Sequence, residues 1–257
     1  MLNSFLGLWK IKSTILFLSI TELKLKYRGA FLGFFWSILE PLAQLGILYL
    51  VFNALRSADE SFVIYLFSGL IMIHLFSRTT VQGMNSLVNK KSIIISLNIP
   101  KIIFPLSGIL TILYMIGIEI GIFFLFIIIL KIEITITILL LPIIFGILIV
   151  FATGVSLLLS IIRLYFKDIQ SIWGIVVMSL IFITPIFWYV NDMPPKIASL
   201  FLLNPLALII EMAHKVILFN TLPTINEYIY VTVSSIVVLL IGWILFVKTE
   251  AKIAERL

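Results

Sequence analysis

Two carboxylates stand inside long apolar runs of this 257-residue chain: Glu40, directly before Pro41, and Glu119, in Gly117-Ile118-Glu119-Ile120-Gly121. An ionisable group in an apolar run is expensive, so each needs a partner, a proton or a route to water. Glu40 either faces a polar cavity or a basic residue, or sits shallow beside head groups; Pro41 removes a backbone donor and can kink that helix. Glu119 reads first as part of a close helix contact allowed by its flanking glycines. A proton, a partner on another helix and a substrate role are the other readings. Arg78 lies near the end of a further run, where a guanidinium can snorkel to phosphate. The chemistry on offer is charge pairing and anion binding. Covalent chemistry lacks its parts: His74 and His214 are the only histidines and lie far apart. The chain has no Gly-x-x-x-x-Gly-Lys-Ser/Thr loop for ATP, no His-Glu-x-x-His and no Gly-x-Ser-x-Gly, the motifs of phosphate, zinc and acyl chemistry. Without cysteine there is neither a disulfide nor a thiolate metal site. No metal is expected, and no cofactor bound by this chain.

Aromatic residues gather in two places. Phe31, Phe34, Phe35 and Trp36 crowd the start of the first apolar run, with Tyr49 further along it, and Phe182, Phe187, Trp188 and Tyr189 crowd the end of the fifth. Aromatic faces stack on sugar rings, so these residues suit a glycan path; they equally suit the aromatic belt of a membrane boundary. Two loops of mixed charge, Asn89-Lys90-Lys91 and the stretch 163–170 with Tyr165, Lys167 and Asp168, are either docking elements for a soluble partner or plain solvated loops.

The elements that position these residues follow from composition. Hydrophobic residues are 62% and charged residues 12%, with a mean hydropathy of +1.24. Soluble domains carry about 45–50% and about 25%. A soluble globule, a disordered chain, a coiled coil and a basic nucleic-acid-binding domain are excluded. A membrane β-barrel would alternate polar and apolar residues, and these runs are continuous. An all-α polytopic membrane protein remains. A span takes about 20 residues, and six runs qualify: Leu32–Leu55, Phe62–Gly83, Leu106–Leu130, Ile138–Ile162, Ser171–Val190 and Tyr228–Val247.

Residues 1–31 precede the spans. Phe5, Trp9, Leu16, Ile20, Leu23 and Tyr27 recur at helical spacing among lysines, which predicts an amphipathic helix in the membrane interface; a helix packed on its own protein is the alternative. No small-residue cleavage site follows, so a signal peptide is not expected. The six-span part covers 32–257. One side of it collects Lys10, Lys12, Lys24, Lys26, Arg28, Lys90, Lys91, Lys101, Arg163, Lys167, Lys248, Lys252 and Arg256. The other holds Arg56, Lys131, Lys196 and Lys215. The positive-inside rule makes the first side cytoplasmic, with both termini on it. Segment 84–105 is then an inner loop, and 191–227 is an external segment. The latter is apolar yet broken at Pro194 and at Asn204-Pro205, where Asn caps and Pro suits a first turn. Two short re-entrant helices fit it, as do two helices lying flat outside. Glu211 and Lys215, four apart, are placed to pair.

The stretch 25–42 carries Tyr27-Arg28, then Leu32-Gly33, then Trp36, then Pro41. It resembles the opening of type-2 ABC exporter permeases of the polysaccharide class, the Wzm- and TagG-like membrane subunits that export O-antigen, capsule or teichoic acid chains. That family commonly has Asn before the proline, where this chain has Glu40. Asn98-Ile99-Pro100-Lys101-Ile102-Ile103-Phe104-Pro105 is similar to the family's approach to its third span. Tyr165-Phe166-Lys167-Asp168-Ile169 is similar to its Phe-Arg-Asp-Ile stretch, with Lys167 for Arg. Thr184-Pro185-Ile186, Met193-Pro194 and Leu203-Asn204-Pro205-Leu206 resemble the end of the fifth span and the re-entrant helices. The matches are ordered along residues 25 to 210.

The resemblance implies an interface helix, six spans and two re-entrant helices before the sixth. It implies a homodimer with a channel between protomers and two copies of a soluble ABC ATPase holding ATP and Mg. A lipid-pyrophosphate-linked glycan would enter near Lys26, Arg28, Leu32, Gly33 and Trp36. Phe31, Phe35, Tyr49, Phe182, Phe187, Trp188 and Tyr189 would line its path. Pro194, Asn204 and Pro205 would shape a gate, and Asn89, Lys90, Lys91, Tyr165, Lys167 and Asp168 would couple to the ATPase. Membrane lipids are the other partner, and no nucleic acid is expected. Three further readings stay open on the residues: an exporter of drugs or smaller lipids, an ion-driven secondary transporter, and a membrane-embedded transferase. The last two lack, respectively, an inverted repeat and a cluster of carboxylates or histidines at one depth.

Overall fold

A computed structural model describes residues 2–29, 31–56, 60–96, 99–133 and 135–256. Ala30, residues 57–59 and Asn98 lie outside the described residues, as do the side chains of Phe5 and Trp9. The helices are α1 (Leu2–Tyr27), α2 (Trp36–Arg56), α3 (Glu60–Asn89), α4 (Lys91–Ser96), α5 (Ile103–Ile129), α6 (Leu141–Tyr165), α7 (Ile169–Ile183), α8 (Pro195–Leu202), α9 (Pro205–Ile217) and α10 (Ile225–Arg256). Short 3-10 turns precede α2, α6 and α8. No strand occurs among the described residues.

The centre of the bundle is α3, whose residues from Phe62 to Phe76 are buried around the whole circumference. A helix apolar on every side belongs in a core. It packs on α5 and α6, and α6 packs along α10. The α6–α10 crossing depends on small residues. A Cβ on Gly154 would stand 2.6 Å from the Leu239 backbone nitrogen, and one on Gly242 would stand 2.6 Å from the Gly154 carbonyl oxygen. Glycines with φ of +80° at Gly29 and +50° at Gly33 make the turn between α1 and α2, a backbone form that only glycine adopts freely.

Five described helical segments are long and apolar enough to cross a membrane: Gly33–Ala54, Ser61–Asn89, Ile103–Ile129, Ile136–Tyr165 and Ile225–Ile253. The chain is a multi-pass membrane protein. Several boundaries differ from the sequence reading, among them the end of the sixth run, which is helical to Arg256 rather than Val247. The fifth predicted run, Ser171–Val190, is helical only to Ile183 and spans about 22 Å at about 1.5 Å per residue, short of a bilayer core of about 30 Å. Pro185 is the cause: it lacks a donor and forces the residue before it out of the helical region, and Thr184 is extended at ψ 151°. The second run continues instead to Asn89, because Met84 and Leu87 are buried and nothing breaks the helix.

The pair α8–α9 is bent by 110° and is apolar and long enough together for one broken span or a re-entrant loop. Asn204 caps α9 as its spacing predicts, its Oδ1 accepting the Leu206 N–H at 3.0 Å, with Pro205 in the first turn.

The bundle has two distinct ends. Leu87, Ile94, Ile102, Phe104, Phe246 and Ile253 form a small second core at the end carrying Lys90, Lys101 and Lys248. This is the basic end. The far end carries α8, α9 and the start of α10.

Candidate functional site

The two flagged carboxylates meet on one guanidinium. Glu119 on α5 is 1% exposed. Its Oε1 accepts from Arg78 Nη1 on α3 at 2.6 Å, and its Oε2 lies 3.0 Å from His74 Nδ1, one turn earlier on α3. His74 Nε2 lies 3.0 Å from the side-chain oxygen Oε1 of Gln44 on α2, so both ring nitrogens face oxygens. The carboxylate thus balances the Arg78 guanidinium, so that neither charge stands alone in the interior. Glu40, also on α2, stands 3.5 Å from Arg78 Nη2, with 62% of its side chain exposed. Glu40 therefore faces a basic residue. Gly117 and Gly121 do not make the expected close contact within the chain: a Cβ on either would meet nothing within 4 Å. Glu119 is explained by its partners on α3.

Lys26, at the end of α1, reaches the same neighbourhood. Its ammonium lies 3.3 Å from the Met115 thioether on α5, and among the described residues it forms no salt bridge. The residue keeps one side exposed, while lost hydration at the ammonium, then the Arg78 charge, push its pKa below the ordinary lysine value. The α1–α2 turn beside it leaves Arg28, Phe31, Leu32, Phe35 and Trp36 exposed. Tyr27 meets Phe34 edge-on at 5.6 Å. Lys26, Arg28, Leu32, Gly33 and Trp36 thus share one exposed turn next to the buried network.

A second polar knot lies at the basic end, and nothing in the sequence reading singled out its centre. Glu22 on α1 accepts from Lys90 Nζ, from Gln82 Nε2 at 3.1 Å, from Ser107 Oγ at 3.0 Å and from Thr111 Oγ1 at 3.4 Å. One carboxylate joins α1, α3, the turn between α3 and α4, and α5. Glu22 is the first acidic residue of the chain and sits among lysines, the one signal that marked it. On the other side of this loop, Glu250 of α10 accepts the Lys101 backbone N–H at 2.7 Å.

Of the residues picked as coupling elements, Lys90 is held by Glu22, while Asn89 and Lys91 are exposed beside it. In the second loop Tyr165, Phe166, Lys167 and Asp168 are exposed. Arg163 braces it from within, donating to the Lys167 carbonyl and, at 2.7 Å, to Gln170. The Asp168 carbonyl accepts the N–H of Ile172 at 3.1 Å as α7 begins.

The aromatics divide. Phe31, Phe35 and Phe182 are exposed, whereas Tyr49, Phe187 and Tyr189 pack against the main core. Phe187 stacks on Phe52 at 5.6 Å, and Trp188 packs on Phe201 of α8 at 5.5 Å. Tyr65, fully buried, stacks on His214 at 3.8 Å and meets Tyr189 at 4.4 Å. Its hydroxyl donates to the Trp188 carbonyl at 2.5 Å. Pro194 introduces α8 and Asn204-Pro205 introduces α9, so all three mark the bent segment. The expected Glu211–Lys215 pair is replaced. Lys215 donates to Glu227 of α10 at 2.6 Å, because α10 brings that carboxylate closer than one helical turn does.

A bundle of long apolar helices with paired charges in its interior defines a polytopic membrane protein. The chain belongs to the ABC-2 type transporter family, whose family model matches residues 13–218. It is thus a membrane transport component. It is 25% identical over 244 residues to an O-antigen export system permease protein, RfbA, of Klebsiella pneumoniae, covering 92% of each chain. It is 23% identical over 253 residues to the RfbA permease of Myxococcus xanthus, covering 97% of each. It is 24% identical over 243 residues to the polysialic acid transport protein KpsM of Escherichia coli, covering 93% of this chain and 94% of that one.

Proposed function

We propose that this chain is the membrane subunit of an ATP-driven exporter that carries a lipid-linked polysaccharide, of O-antigen, capsule or teichoic acid type, across the cytoplasmic membrane. The observation that carries the reading is similarity over 92–97% of the chain to permeases named for O-antigen export and polysialic acid transport. The chain works as a homodimer with two copies of a soluble ABC ATPase, which hold ATP and Mg; this chain holds no cofactor. Both termini and the basic end face the cytoplasm, as the positive-inside rule favours.

The geometry suits that task. A lipid-pyrophosphate head group enters at the exposed turn of Lys26, Arg28, Leu32, Gly33 and Trp36. Strokes of the ATPase press on the loops around Asn89–Lys91 and Tyr165–Asp168. The glycan leaves along exposed aromatics such as Phe35 and Phe182, past the α8–α9 segment.

Purification of the tagged chain in mild detergent is expected to bring a Walker-motif ATPase at one-to-one stoichiometry. Deleting the chain is expected to remove surface glycan and accumulate its lipid-linked precursor inside. Trp36→Ala and Phe182→Ala are expected to cut surface glycan several-fold while the complex still assembles. A chain that purifies alone, with surface glycan intact after deletion, overturns the reading.

A further inference from the structure

Arg78 has two unequal partners. Its Nη1 is bound at 2.6 Å by Glu119, itself buried and backed by His74, which Gln44 orients in turn. That half of the guanidinium is fixed. Its Nη2 meets Glu40 at 3.5 Å, and Glu40 is largely exposed. An exposed pair at that distance contributes little, so this edge of the fork is lightly held. Lys26 adds a second cation. Its hydrogen-bond contact is a thioether sulfur, a weak acceptor, and Arg78, Glu40 and Glu119 all act on its charge.

Two cations therefore converge where one carboxylate is committed to the interior and the other is loosely placed at the surface. The arrangement is neutral with Glu40 present and positive without it. A planar guanidinium edge beside a flexible ammonium matches phosphoryl oxygens, which accept charge-assisted bonds in a fork geometry. Trp36 stands one helical turn before Glu40 on α2, and Phe31, Trp36 and Glu40 are all exposed.

We infer that Lys26 and the free edge of Arg78 form a seat for a diphosphate ester, and that Glu40 is the exchangeable carboxylate that fills this seat until the ligand displaces it. This rests on the reading of the chain as an exporter of lipid-linked glycan. It adds Arg78 as a specificity residue and gives Glu40 a competing role. The buried Glu119–His74–Gln44 set is the support that keeps the seat aimed.

The test uses the full chain in nanodiscs of zwitterionic lipid and radiolabelled farnesyl diphosphate as probe. Wild type is expected to bind it saturably, with farnesyl monophosphate weaker. Glu40→Gln leaves the buried pair intact and is expected to tighten binding at least 3-fold, since it removes the competitor. Lys26→Gln is expected to weaken binding about 10-fold. Arg78→Lys keeps a cation for Glu119 but loses the second arm, and is expected to weaken binding by a similar factor. In the Arg78→Lys background Glu40→Gln should no longer matter. Unchanged or weaker binding in Glu40→Gln overturns the exchange. Competition by phosphatidylglycerol as strong as by the diphosphate overturns the ligand class, making this a phospholipid head-group site. The two levels of the argument separate cleanly. Loss of surface glycan on deletion, with binding indifferent to Glu40, sinks the seat alone. Intact surface glycan on deletion, with binding that follows the variants, sinks the transport reading alone.

Discussion

Two buried histidines meet two buried glutamates in this chain, and the outcomes differ. His74 stands 3.0 Å from Glu119, with Arg78 on the other carboxylate oxygen and Gln44 on the other ring nitrogen. His214 stands 3.9 Å from Glu211 on its own helix. Its Nε2 lies 3.2 Å from the Tyr65 carbonyl, which can only accept, so Nε2 carries the proton and Nδ1 turns a lone pair toward Glu211. Neither Nδ1 nor Glu211 Oε2 has a hydrogen-bond partner among the described residues. Both settings are out of water, so burial does not separate them. Satisfaction does. The first set ties α2, α3 and α5 together, and breaking it strands a charge. The second leaves α9 held by ring stacking, apolar packing, the Lys215–Glu227 pair and two hydrogen bonds to backbone carbonyls, His214 Nε2 to Tyr65 and Thr137 Oγ1 to Val216, with polar atoms that a rearrangement or a buried water would satisfy.

The contrast breaks first at Glu119. Glu119→Ala leaves Arg78 and His74 buried without their acceptor, and removing one partner of a buried pair costs about 3–5 kcal/mol. The expected result is a chain that fails to accumulate in membranes, or melts far below wild type in detergent. Normal melting would show that the network is ornamental. Glu22 is next. Glu22→Ala removes a carboxylate serving four donors, and hydrogen bonds to charged groups contribute about 1.5–3 kcal/mol. Because Glu22 joins α1 to the loop that bears Lys90, the expected readout is specific: the purified complex hydrolyses ATP but moves less glycan per ATP. Equal loss of both activities would reduce Glu22 to a plain structural tie.

What was legible in the sequence was local or averaged. Apolar runs located the long helices because crossing a bilayer demands length and composition. Asn204-Pro205 located the start of α9 because capping is settled within three residues. Pro185 was visible too, but the apolar Ile186-Phe187-Trp188-Tyr189-Val190 after it hid the end of α7. Pairings between helices were not legible. Arg78 and Glu119 each stood out as costly, yet no spacing rule joins residues on α3 and α5. Lys215 seemed placed for Glu211, and tertiary packing offered Glu227. Glu22 was lost among lysines, and His74 seemed isolated until α5 brought Glu119 beside it. Phe182 and Phe187 belong to one cluster in the sequence, but only packing reveals that the first is exposed and the second stacked on Phe52.

The smallest effect sharpens the comparison most, because its sign is opposite. In Glu211→Gln the shape is kept and a donor replaces an acceptor. The new amide N–H can turn to His214 Nδ1, the lone pair already aimed at it, and the helix need not move far to close the 3.9 Å gap. One buried hydrogen bond contributes about 0.5–1.5 kcal/mol, so the variant is expected to melt slightly above wild type. The matching change at Glu119 lowers melting, since glutamine there cannot balance Arg78. Stability at α9 should then come at the expense of movement: if the α8–α9 segment shifts during export, Glu211→Gln slows export while leaving ATPase assembly unchanged. A Glu211→Gln chain that melts lower than wild type would mean that Glu211 already has a partner, such as a buried water, and that the two histidine sites are alike.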